Sequence, residues 1–387
     1  MNMHMDIKTE YTAPTDELLM LSDAIEKWAQ GRLSVSVLRD YRDNRESRGN
    51  DPEIWRELAD FGLPGALIPE EHGGNGVGFE ALGRAIEILG RSLAPTPLLA
   101  SGLVATATLL AGGTEAQKAV LLPKLAGGST IATLAHEENS RHNPAPKALL
   151  LTEGNGTITL NGRKIAVPEG LSADVILVSG IYASGTKVGQ TALVIVEVDQ
   201  AGLTRHQRRQ VDSREYADLS FDNVTVSSAC VLSGEVNGAA LLDYALDCLR
   251  IGLSLEMIGG AEQAFSVTLD YLKTRVQFGQ LIGSFQALQH RAAELYSRLS
   301  VARYCIRSAM QALDNNRNDV PMLASLAKAT AGETFNFVAS EMIQLHGGIG
   351  MTDDLDAGFY LKRSRVADAL GGNQAFHRER YAHIGGW

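Results

Sequence analysis

Apolar residues in the opening third of the chain recur three and four positions apart, the period of a helix with one buried face. Leu18 to Trp28 carries this pattern. A second helix opens at Pro52-Glu53-Ile54-Trp55, where proline suits the first turn, and runs through Leu58, Ala59 and Phe61 to a stop at Gly62. Helical patterning returns over Phe79–Gly90, Leu98–Leu110 and Glu115–Leu125, the last closed by Gly127-Gly128. Beyond Gly128 the texture changes to short β-rich runs: Ser129–Ala135, Ala148–Thr152, Thr157–Leu160, Val175–Val178, Thr191–Val198 and Leu219–Val226. Turns are expected at Glu153-Gly154-Asn155-Gly156 and at Asn161-Gly162. Strands so closely spaced, with no helix between them, describe a small barrel or sandwich. From Asn237 long helices resume. One buries Leu242, Leu246, Leu249, Leu253 and Met257, and the next steps through Phe285, Leu288, Ala292, Leu295, Leu299, Ala302, Ile306, Ala309 and Leu313 as a bundle seam. A third covers Pro321–Leu345 and a fourth Leu355–Leu370. The fold class is therefore α+β: an N-terminal α-helical domain over 1–128, a middle β-barrel over 129–233 and a C-terminal four-helix bundle over 234–387.

Composition narrows the function classes. At 387 residues the chain holds two or three packed units rather than one. A formal net charge of -10 excludes a surface built to displace counterions from nucleic acid. Cys230, Cys248 and Cys305 have no metal-type spacing, which predicts a reducing compartment, no zinc site and thiols packed as small apolar groups. No apolar run approaches the roughly 18 residues of a membrane helix, and Met1–Asp16 is polar and acidic with no signal-peptide core. The expected setting is cytoplasmic, with no membrane partner.

Candidate chemistry gathers near the C-terminus. In Gln344-Leu345-His346-Gly347-Gly348-Ile349-Gly350, paired glycines after an amphipathic helix let backbone N–H groups approach a cofactor without a Cβ in the way. A second pair, Gly371-Gly372, follows one helix later, where a catalytic residue could sit. His346 reads either as a general base or as a ring packed into the turn. Arg275-Val276-Gln277-Phe278-Gly279 with Phe285-Gln286 joins a permanent cation, an aromatic face and an amide, which suits a pyrophosphate-bearing cofactor as well as a plain helix-to-helix turn. The Gly-rich Leu67–Gly76 loop lacks the Lys-Ser/Thr ending of a phosphate loop and reads as a structural turn.

Together, Arg275-x-x-Phe278-Gly279 with Phe285-Gln286, Gln344-x-x-Gly347-Gly348-x-Gly350 and the Trp55–Gly76 stretch closely resemble signatures of the acyl-CoA dehydrogenase family. The resemblance implies tetramers with FAD between subunits, α,β-desaturation of an acyl-CoA by a carboxylate base with hydride passing to the flavin, and electron-transfer flavoprotein as acceptor. It assigns FAD contacts to Arg275, Phe278, Gln286, Gln344, Leu345, His346, Gly347 and Gly348, and a substrate contact to Arg250. The chain also departs from the pattern. The family's catalytic Glu falls at Gly371, and the alternative base position beside Arg250 falls at Leu249, so no catalytic residue is assigned. Asp247 and Asp368 lie one to three residues out of register. The segment whose Thr contacts the flavin aligns with His136-Glu137-Glu138-Asn139-Ser140, and the Trp-bearing strand that covers it aligns with Ala166-Val167-Pro168-Glu169-Gly170.

The resemblance thus retains the residues that reach toward a neighbour's FAD and loses those that serve the chain's own. The favoured reading is a partner subunit in an α2β2-type enzyme, beside a catalytic sister chain, resembling the paired dehydrogenases of bacterial steroid side-chain or pimeloyl-type degradation. The alternatives are a homotetrameric dehydrogenase with a non-standard base, another flavoprotein on the same fold (a monooxygenase or nitroalkane oxidase), and a non-catalytic binding protein.

Overall fold

Thr15 opens the first described helix by accepting a hydrogen bond from the Leu18 N–H through its hydroxyl. The structure is a computed structural model that describes residues 15–44 and 51–387; most of the polar stretch read over Met1–Asp16 lies outside the described residues. The first helices are α1 (Asp16–Arg32), α2 (Val35–Asp43), α3 (Pro52–Asp60) and α4 (Gly78–Arg91). The stretch read as one helix from Leu98 begins as a widened π-helical turn, Leu98–Ala105, and continues as α5 (Thr106–Gly112), followed by α6 (Glu115–Ala126). The Gly-rich loop closes on itself. Gly76 N–H donates to Ile68 O at 3.0 Å, and a Cβ on Gly74 would fall 2.0 Å from that same oxygen, which leaves a tight turn and no phosphate cradle.

Seven strands form one curled sheet: β1 (Ala132–Ala135), β2 (Leu150–Glu153), β3 (Thr157–Pro168), β4 (Val175–Tyr182), β5 (Thr191–Glu197), β6 (Leu203–Gln207) and β7 (Tyr216–Ser227). The order is β1-β4-β2-β3-β7-β6, with β5 antiparallel to β4. Asn161-Gly162 is not a turn. The register shifts between Leu160 and Gly162 against β7, a bulge at which β3 bends and continues to Pro168. The missed strand, β6, is polar and lies at the sheet's edge, so it carries no apolar alternation. Ile158, Leu160, Ile176, Val178, Val194, Val196 and Phe221 fill the sheet's own core.

The C-terminal helices are α7 (Gly238–Thr274), α8 (Gln286–Asp314), α9 (Val320–His346), α10 (Ala357–Ala369) and α11 (Gln374–Ile384), with the hairpin β8 (Val276–Gln277) and β9 (Gln280–Leu281) between α7 and α8. The four helices read from the sequence are α7 to α10, and α11 is a short addition to them. In α11 only His377 is fully buried, so the helix shows no apolar stripe, and it docks on α9 through tertiary contacts. A single apolar core joins α1, α3 and α4 to α7, α8 and α9. The sheet is fastened to these helices by a buried ion cluster. Arg363 on α10 donates to Glu256 on α7 at 2.6 Å, to Asp212 at 2.7 Å and to the Tyr216 hydroxyl at 2.9 Å, while Arg214 donates to Glu256 at 3.0 Å. No described helix is long and apolar enough to cross a membrane. Cys248 is buried, and Cys230 and Cys305 are half-buried; all three are free thiols.

Helices α4 and α7 cross at glycines. A Cβ on Gly90 would meet Glu256 O at 2.3 Å, and one on Gly259 would meet Glu87 O at 2.0 Å. Gly259→Ala must push the two helices apart. We expect a loss of about 1–3 kcal/mol in urea unfolding, and an unchanged midpoint would refute the tight crossing.

Candidate active site and cofactor surface

Two regions carry the predicted site residues, and they differ in exposure. The first forms where α7 ends. Arg275 caps α7 through its N–H to Tyr271 O, and the Ile282 N–H donates back to Arg275 O at 2.9 Å, closing the β8–β9 hairpin. Phe278 at its tip has φ 54° and is 90% exposed, a strained conformation that points the ring into solvent. It lies edge-on to Phe285 at 6.1 Å. The other half of this region follows α9. The Tyr271 ring packs on His346 at 4.3 Å, which brings the hairpin and the glycine turn together. Gly347 has φ 64° and ψ -138°, open to glycine alone, and nothing lies within 4 Å of a Cβ built at Gly347 or Gly348. Arg275, Gln286, Gln344, Gly347 and Gly348 are exposed. Leu345 and His346 are turned inward, so these two can offer only backbone to a ligand. The His346 ring is the packed one: Nδ1 lies 2.7 Å from Met342 O, and burial lowers its pKa.

The second region surrounds the two expected base positions, which face each other. A Cβ on Gly371 would lie 3.5 Å from Leu249 and 3.8 Å from Arg250. Beside Leu249 is an apolar cavity of about 30 Å³, also lined by Leu99, Leu246, Leu370, Ala166 and Pro168, with room for no more than a water or two. Arg250 is fully buried and has no nitrogen free for a substrate. Nε donates to Gly371 O at 3.2 Å, one terminal nitrogen to Asp247 at 2.8 Å and the other to His142 Nε2 at 3.2 Å. Asp247, one of the displaced acids, is also held by Arg380 at 3.0 Å. The other, Asp368, packs against Gly332 on α9, where its Oδ1 is buried without a hydrogen-bond partner. Neither lines the cavity. Glu137 does, and its carboxylate takes a 2.5 Å hydrogen bond from His142 Nδ1.

Side chains missed by sequence reasoning, four polar and one aromatic, hold this region together. His142, Phe376, His377, Lys164 and Lys328 are far apart in sequence, and no spacing links them. Lys164 is buried and donates to Glu138, His136 O and Ser179. Glu138 also accepts from the Lys147, Ala148 and Leu149 N–H groups. Burial raises the Glu138 carboxyl, but Lys164 and these N–H groups outweigh it and bring it down to about 2. Lys328 donates to Asp368 O at 2.9 Å and Gly372 O at 3.0 Å, and His377 lies 3.1 Å from Gly371 O. The His136, Glu137 and His142 ligand atoms lie within 4.8 Å of one another. All four ring nitrogens have partners, however, and the Arg250 cation touches His142, so the group is a hydrogen-bonded cluster rather than a metal centre.

Residues 15–129 match the acyl-CoA dehydrogenase N-terminal domain, and residues 237–384 match the acyl-CoA dehydrogenase C-terminal domain. The chain is 31% identical over 358 residues to the acyl-CoA dehydrogenase IpdE2 of Mycobacterium tuberculosis, spanning 92% of this chain and 93% of the relative. The chain belongs to the acyl-CoA dehydrogenase family. A variant of the Tcur3481–Tcur3483 steroid ACAD superposes with a TM-score of 0.86 at 29% identity, over 96% of this chain and 98% of the other. The ChsE4–ChsE5 complex from Mycobacterium tuberculosis has a TM-score of 0.85 at 23% identity, over 96% of this chain and 97% of the other, which speaks to fold alone. The family consists of FAD-dependent oxidoreductases acting on acyl-CoA.

Acyl-CoA dehydrogenase chemistry needs a base at the acyl α-carbon and a flavin against the β-carbon, and the two regions fit it differently. The glycine turn is an open cradle that any Cβ would narrow. The cavity at Leu249 is too small for a flavin ring, and neither Gly371 nor Leu249 can accept a proton. Burial lowers the His136 imidazole from 6.5 to about 4 and, reinforced by Lys328 and Arg250, the His377 imidazole to about 2. Both rings are thus neutral when folded and bind protons on unfolding at pH below 6.5. Urea unfolding free energy should decline as the pH falls from about 6.5 toward 4, with a shallower slope in His377→Gln. A flat profile would contradict the buried neutral rings.

Proposed function

We propose that this chain is the partner subunit of a heteromeric FAD-dependent acyl-CoA dehydrogenase that desaturates an acyl-CoA thioester between its α and β carbons, in an α2β2-type arrangement. The reading rests on the contrast between an exposed glycine cradle and a small, mostly apolar cavity with no proton acceptor at either family base position in one chain. Arg275 would pair with the FAD pyrophosphate as a charge-assisted donor, Gln286 and Gln344 would add amide hydrogen bonds, the Gly347 and Gly348 backbone would approach closely, and Phe278 would cover an apolar edge. The bound FAD supplies the hydride acceptor. The sister chain supplies the carboxylate base and the flavin walls that Gly371, Leu249, Ala166 and Pro168 do not provide. Electron-transfer flavoprotein is the acceptor in this reading. The likeness to the Tcur3481–Tcur3483 steroid ACAD supports a steroid-derived acyl-CoA as the complex's substrate.

The test is purification alone and with a sister chain, with FAD content and acyl-CoA-dependent reduction of ferricenium as readouts. The expected result is little FAD and no turnover alone, and turnover with half as many FAD molecules as chains in the complex. Full FAD occupancy and turnover by the isolated chain would refute the proposal. Arg275→Ala should weaken FAD retention by the complex roughly 10- to 100-fold, the loss of a charge-assisted contact; unchanged flavin content would remove Arg275 from the cradle. A second reading, a homotetramer with a non-standard base, draws on Glu137 lining the cavity. It requires turnover by the chain alone that Glu137→Gln abolishes.

A further inference from the structure

Arg250 lies where both family base positions converge, yet its third nitrogen pairs with no carboxylate. Its acceptor is His142 Nε2, delivered from the segment that follows β1. A ring nitrogen accepts from a guanidinium only when it carries no proton, so the His142 proton sits on Nδ1, where Glu137 takes it at 2.5 Å. The hydrogen bonds therefore run in one direction, from Arg250 to His142 to Glu137. On the other side Arg250 donates to Asp247, itself clamped by Arg380. Phe376 on α11 closes the last side, edge-on to the His142 ring at 4.8 Å and 5.7 Å from the guanidinium. The His142 side chain is only 5% exposed. A connecting segment has no need to bury an imidazole against a buried cation; packing alone would be served better by an apolar side chain.

We propose that His142 is a built-in ligand: the chain's own imidazole occupies a nitrogen-heterocycle site on Arg250 and keeps the vacated active-site region closed. The site it fills is defined by a donor (Arg250), an acceptor (Glu137) and an aromatic wall (Phe376), so an opened site would take a small neutral ring with one acceptor nitrogen and one N–H. The occupancy of that site by His142 stands on this geometry; the statement that it closes a region serving no flavin of this chain rests on the partner-subunit reading above.

Three measurements on the full chain test it. Diethyl pyrocarbonate should modify exposed His206 and spare His142 in the unsubstituted protein; comparable modification of both would overturn the proposal, and this arm needs no variant. His142→Ala should lower Tm by roughly 3–5 °C. Imidazole at millimolar concentration should restore at least half of that drop while moving the unsubstituted protein by less than about one degree; no restoration, or an equal response in both proteins, overturns the proposal. His142→Gln keeps a donor for Glu137 and an acceptor for Arg250 and should melt close to the unsubstituted protein, so a fall as large as that of alanine also overturns it. FAD content of the complex with a sister chain separates the two ideas. One FAD on every chain would sink the partner-subunit assignment while leaving the imidazole result intact.

Discussion

A guanidinium taken out of water has to find every partner inside the protein, and Arg250 shows how far that requirement reaches. Its three nitrogens recruit a carbonyl from the turn after α10, a carboxylate one turn back on α7 and an imidazole from the loop beyond β1. Each recruit is in turn committed: Asp247 to Arg380, His142 to Glu137, and the Gly371 carbonyl also to His377. Leaving any of these groups unpaired in a low-dielectric interior costs more than the bond itself gains. The loop over residues 136–149, α7, α10 and α11 are therefore held in one arrangement by a shared electrostatic need. Lys328 and Lys164 extend the same logic, one binding the carbonyls of residues 368 and 372, the other tying Glu138 beneath the loop.

This constraint separates the two halves of the molecule's chemistry. Every nitrogen of Arg250 and both carboxylate oxygens of Asp247 are spent internally, and the remaining space is small and mostly apolar. At the β8–β9 hairpin and the glycine turn the opposite holds: a cation, amides and backbone donors face solvent, and a strained phenylalanine stands clear of the surface. One region is saturated and the other has valence to spare, which is the physical basis for reading the chain as the giver of contacts to a neighbour's cofactor.

The scaffold beneath both regions was largely legible from residue order. Long apolar stripes gave away α7, α8 and α9, because their buried faces repeat over many turns. The Glu153–Gly156 turn was equally plain. What was misread or missed lacked a periodic signal: α11 buries little besides His377, β6 is a polar edge, and Asn161-Gly162 makes a bulge whose partner lies some sixty residues away on β7.

For the site, the chain's residues by themselves determined the motifs, the absence of a carboxylate at positions 371 and 249, and the membership of an acyl-CoA dehydrogenase family whose signatures are local in sequence. Those features are composition at named positions, and no folding is needed to read them. Only the tertiary structure decided that Leu345 and His346 turn inward, that Asp247 and Asp368 are unavailable, and that His142 meets Arg250. Those facts depend on which side chain satisfies which buried charge, and that pairing joins residues more than a hundred positions apart. Local order in the chain holds no record of it.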